Sequence, residues 1–152
     1  MTYVAREARQ ELLDTVAEAI GELGMAVAGL GAAHEQLDDA SAARLEDELF
    51  RPVQLAFGRA RRAHADFALR HGLPGREFAA ASPGVPSQGA RGFLDAALDA
   101  VAEADNILSV LQDSMMPVEV GDAELRAQLA NVRGLIAEVG DRADGFLRIL
   151  GR

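Results

Sequence analysis

Cysteine is absent from this 152-residue chain, and so is lysine. Without a thiol there is no disulfide, no thiolate metal ligand, no iron–sulfur cluster and no cysteine nucleophile. Without a lysine amine there is no Schiff-base chemistry, no pyridoxal phosphate attachment and no Walker-type phosphate loop. All fifteen basic residues are Arg, a bias that codon usage in a GC-rich genome explains before any function does. Tryptophan is missing too, and aromatics make up 5% of a chain that is 49% apolar. Burial must therefore come from many Ala and Leu contacts along long elements. Long apolar runs are also lacking: the longest, Leu23 to Ala33, is about half of a membrane span. Met1 to Leu13 carries Arg and Glu where a secretory signal has an apolar core. The expectation is a soluble, cytoplasmic protein without a membrane partner.

What the chain does have is helical periodicity. Larger residues recur in steps of three and four at Leu13, Val16, Ile20, Leu23, Val27, Leu30, His34 and Leu37. The pattern returns from Leu49 through Val53, Ala56, Ala60 and Ala63 to Phe67, then from Leu94 through Val101 and Leu108 to Met115. It is cleanest from Leu125 through Leu129, Val132, Ile136, Val139 and Ala143 to Phe146 and Leu150. Such seams are those of packed helices. The fold class expected is all-α, an up-down-up-down antiparallel four-helix bundle forming a single domain over 1–152, with helices at about 3–37, 41–72, 90–115 and 122–150.

Capping oxygens support these boundaries, with Asp38, Asp39 and Ser41 before the second helix and Asp122 before the fourth. The middle connection, Leu73 to Gly92, holds Pro74, Gly75, Pro83, Gly84, Pro86 and Gly89 and reads as a long irregular crossing. Pro117 closes the third helix. Pro52 lies inside the second pattern, where its missing N–H predicts a kink.

Three histidines are the side chains that titrate near neutrality without help. On a wheel of 100° per residue, His64 and His71 fall near the second helix's apolar seam and His34 on the first helix's own seam. A neutral ring bonded to a carbonyl or carboxylate is the plain reading. His34 and His64 stand about 28 Å apart along a tight hairpin, so no shared metal site is expected. Nor is there an inward Glu followed three residues on by His, as in ferritin-like di-iron bundles. The architecture resembles that of histidine phosphotransfer modules, but those follow an exposed His with Lys and Gly. Here His64 precedes Ala65, Asp66, Phe67 and Ala68, so the resemblance ends at architecture. The serines sit in no nucleophile-elbow context, and Asp95, Asp99 and Glu103 read as a solvated acidic ridge. No catalytic residue, cofactor or metal is assigned.

Charge is more informative. The chain carries −9 overall, yet Arg51 to Glu77 has six Arg against Asp66 and Glu77, a local +4 that leaves −13 elsewhere. Arg51, Arg59, Arg62, Arg70 and Arg76 would fall within about 120° of one another on a continuing helix. That stripe suits an acidic protein surface or a second copy. Nucleic acid is disfavoured by the net negative charge. On the first helix Ala17, Gly21, Gly24, Ala28 and Gly31 form a small-residue stripe, which implies close approach of another helix. That helix is either the fourth of the same bundle or the first of another protomer, and with Met25 outside the core the second case allows a homodimer. The function expected is non-enzymatic association with itself or a protein partner. The alternative is a small-ligand- or metal-binding bundle with a pocket near His64 and His71.

Overall fold

Uncapped helix ends leave backbone N–H groups without partners, and this chain caps two of its helix starts with a carboxylate. Asp38 Oδ1 accepts from the Ser41 amide at 2.8 Å, and Asp122 Oδ1 from the Leu125 amide at 2.8 Å. The structure, a computed structural model, describes residues 2–79 and 81–151, with side chains from Val4 onward. Ala80, within the expected crossing, lies outside the described residues. The protein is all-α, with no strand among the described residues.

In chain order the elements are α1 (Thr2–Glu35), α2 (Asp39–Leu45), a wide π turn (Glu46–Phe50), α3 (Arg51–Arg70), a 3-10 turn (Pro86–Gln88), α4 (Gly89–Asp113), α5 (Met116–Glu119) and α6 (Ala123–Leu150). The π turn accounts for Pro52. In a regular turn its ring would press on the carbonyl of Glu48. Instead the Arg51 amide bonds back to the Glu46 carbonyl, and the chain stays helical from Asp39 to Arg70. A widened turn within a continuous helical segment is thus how the chain accommodates the proline. At the other proline the third long helix stops earlier than expected, at Asp113. Met115 then takes a left-handed φ of 66° and Pro117 is buried in the first turn of α5.

The long helices bury their seams in one cluster that includes Leu13, Ile20, Leu30, Leu49, Phe67, Leu94, Leu108, Leu129 and Val139. α1 packs most extensively on α4, α3 packs on both α1 and α6, and α4 and α6 meet least closely. Named contacts fix the directions. Arg6 Nη1 donates to the Gly72 carbonyl beside the start of α1, and Gln36 Nε2 to the Pro86 carbonyl just past its end. The segment between Gly72 and Pro86 therefore runs the length of α1, roughly 45 Å. That distance is within reach of its extended backbone. Consequently α4 starts where α1 ends, and Gly29 lies against Phe93 and Ala97. The expected up-down-up-down order is corrected: α3 and α4 run the same way, because the connection between them crosses the molecule instead of turning back.

α1 also revises the reading of apolar runs. Over Val4–Glu35 it is long and apolar enough, by length and composition, to cross a membrane, and half of its most apolar stretch is buried within the molecule.

Candidate functional site

The exposed face of α3 gathers the basic residues. Arg59 hydrogen-bonds Asn131 of α6, Arg61 lies over the Phe57 ring at 4.3 Å, and Arg62 stands 3.6 Å from Asp66 with its side chain 79% exposed. Arg76 is not on the helix, which ends at Arg70. Its guanidinium lies 5.3 Å from the Phe78 ring, and it returns to line a hollow of about 480 Å3 with Arg61, Arg62, Gly58 and Ala65. A neighbouring hollow of about 370 Å3 brings Arg59 and Arg62 against Asn131. Arg59, Arg61, Arg62 and Arg76 thus form one patch around Gly58. Arg61, outside the predicted stripe, belongs to it because the loop brings Arg76 to that side.

Two members of the predicted stripe stand apart from the patch. Arg51 pairs with Asp47 at 3.2 Å. Arg70 binds Asp122 through Nε at 2.8 Å and Nη2 at 2.9 Å, and also reaches Glu124 at 3.0 Å. His71 Nε2 meets the same carboxylate at 2.9 Å. Burial opposes the charge on Asp122. The hydrogen bonds from Arg70, the Leu125 amide and His71, with the Arg70 charge, nevertheless hold its carboxyl far below the usual carboxylate range. Arg70 and His71 therefore clamp the end of α3 to the start of α6.

The histidines do not converge. His64 is buried, its Nδ1 has no hydrogen-bond partner, and the Phe78 ring packs edge-on against it at 5.3 Å. Burial, with the Arg76 charge, pushes its pKa down, and Asp14 opposes the shift. His71 packs on Phe67 at 4.3 Å, and His34 borders a hollow with Gly31, Glu46 and Phe50 at the other end. Among the described residues no three His, Asp or Glu side chains could together hold a metal.

The small-residue stripe of α1 meets aromatic rings. A Cβ at Gly24 would lie 3.3 Å from the Phe57 ring and one at Gly31 3.5 Å from Phe50, while one at Gly21 would meet nothing within 4 Å. Ala17 is buried and Ala28 half-buried. The helix close to this stripe is α3 with the turn before it, which corrects the expectation of the fourth helix. The tightest approach lies elsewhere, at Gly29, where a Cβ would stand 3.1 Å from Ala97 Cβ and 3.2 Å from the Phe93 carbonyl.

One feature escaped the periodicity because it needs two helices side by side. Where α4 and α6 diverge, a groove of about 740 Å3 opens. Asp95, Asp99 and Asp105 stand along one wall and Asp141 and Asp144 along the other, above Val101, Ile136 and Val139. Asp95 and Asp99 of the acidic ridge belong to this rim, while Glu103, the third residue of that ridge, does not line it. Comparison with protein families, characterised proteins and solved structures finds no match to this chain.

Proposed function

We propose that this chain is a non-catalytic four-helix bundle that works by association, presenting the Arg patch of α3 to an acidic surface on a second copy or on a partner protein. In this reading α1, α3, α6 and α4 form a ring in which each long helix packs antiparallel to its two neighbours, with the Gly72 to Pro86 segment as the single crossover. A cytoplasmic setting fits the lack of cysteine.

The observation that carries the proposal is the concentration of Arg59, Arg61, Arg62 and Arg76 around two adjoining hollows that share Gly58 and Arg62, with Glu77 the one acidic residue lining them, on a chain of net charge −9. Guanidinium groups at such a site form forked bonds to carboxylates, and complementary charge speeds and orients docking. The −9 charge opposes approach to a long, densely charged polymer such as nucleic acid more than to a short acidic segment that meets only the Arg patch. The experiment is a fluorescence titration of the full chain with a labelled polyglutamate peptide. Binding that weakens at least about tenfold from low to high salt, and is lost in Arg59→Glu/Arg62→Glu, is expected. Equal binding by the reversed variant would remove the Arg patch from the account.

A further inference from the structure

We infer that the receiving surface is the groove between α4 and α6, and that its occupant is the α3 face of a second copy. This deepens the association reading above and rests on it.

The groove is apolar at its floor, where Val101, Ile136, Val139 and Ala143 are each at most 8% exposed. Its rim is acidic but only partly neutralised. Asp95 pairs with Arg91 at 3.2 Å and Asp105 with Arg133 at 3.0 Å. The carboxylates of Asp99, Asp141 and Asp144 make no ion pair among the described residues. Gly140 stands on the α6 wall, and a Cβ added there meets nothing within 4 Å, which leaves room for a close-packed helix.

The outer face of α3 carries the complementary chemistry. Leu55 is 43% exposed and Leu69 is 84% exposed, large apolar side chains left in solvent on a charged helix. With Gly58 and Ala65 they fall within about 80° of one another, and Arg51, Arg59 and Arg62 lie on or beside that strip. An apolar ridge bearing guanidinium groups matches an apolar groove rimmed by unpaired carboxylates, both in charge and in the burial each lacks. The two surfaces lie on different sides of the molecule, since α6 separates α3 from the groove. One chain therefore cannot fill its own groove. The contact between copies is heterologous, so assembly continues past two copies or closes into a ring.

Two charge variants at exposed positions test this by native mass spectrometry, with thermal melts confirming that each is folded. Arg59→Glu/Arg62→Glu disables the ridge, and Asp99→Arg/Asp144→Arg disables the groove. The wild-type chain is expected to form dimers and larger species, and each variant alone to remain monomeric. Their equimolar mixture should assemble again, because the native Arg ridge of one variant meets the native Asp groove of the other, and the reversed Glu ridge meets the reversed Arg groove. Gly140→Leu, which fills the groove without altering charge, should weaken wild-type assembly at least about tenfold. A wild-type chain that stays monomeric at the highest concentration, a mixture that stays monomeric, or a groove variant that assembles like wild type would each overturn the inference. Assembly lost with the Arg reversal but kept by the groove variant, or polyglutamate binding by a monomeric wild type, would leave the association reading standing. Assembly and polyglutamate binding both indifferent to the Arg reversal would overturn the two together.

Discussion

Asp122 combines two jobs in one side chain. It caps α6 through the Leu125 amide and accepts Arg70 and His71 from the end of α3. Asp122→Asn keeps an oxygen for the cap but loses the ion pair, and should cost about 1–2 kcal/mol at neutral pH. Asp122→Ala should cost roughly 1 kcal/mol more through loss of the cap. Because the folded-state pKa is depressed, this stabilisation is complete above the unfolded value of about 3.9 and is lost as pH falls through the folded value. Urea titrations at neutral pH and below pH ~4 should therefore show wild type and Asp122→Asn converging in acid. His64 acts in a different window. Its pKa is also depressed, by burial first and by Arg76 second, so below about 6.5 the unfolded chain takes up a proton that the buried ring refuses. Wild-type stability should decline as pH drops from there, and His64→Leu should flatten that decline. At pH 8 the same substitution should change stability by less than about 1.5 kcal/mol.

Within α1, glycine spacing alone could not tell which positions are pressed against a neighbour. Gly21 and Gly29 resemble each other in the sequence, yet the first opens to space while the second abuts a backbone carbonyl of α4. Gly21→Ala should stabilise by roughly 0.5–1 kcal/mol, since helix propensity is gained with no clash. Gly29→Ala should destabilise by about 1–3 kcal/mol, because neither Ala97 nor the Phe93 carbonyl is a flexible tip that can swing aside. Thermal denaturation of the two variants checks the opposite signs. The periodic seams and the caps at Asp38 and Asp122 were legible because they depend on residues a few positions apart. The π turn at Pro52 was half legible: proline signals a disturbance, but whether the backbone bends or widens depends on what packs against it. The small helix α5 follows from the left-handed turn at Met115, a conformation that glycine would have advertised and methionine conceals.

For the molecule as a whole, the missing information was the direction of a loop. The Leu73 to Gly92 composition announced an irregular crossing, and a crossing that traverses the bundle carries the same prolines and glycines as one that wanders at one end. The loop's path decides the function proposed here, because it returns Arg76 to Arg61 and Arg62 and so makes a patch from what the sequence presented as a line. The groove was illegible for a related reason. Asp95 and Asp99 showed as a ridge, but Asp141 and Asp144 join them only once α4 and α6 lie side by side. Charge is thus segregated on the folded surface far more sharply than along the chain. That segregation is the basis of the association proposed, and sedimentation velocity at low and high salt, with and without polyglutamate, tests it most directly. The account predicts complexes that form at low salt, dissociate at high salt and are absent in Arg59→Glu/Arg62→Glu. Complexes insensitive to both salt and the double reversal, or no complex of either kind at low salt, would contradict it.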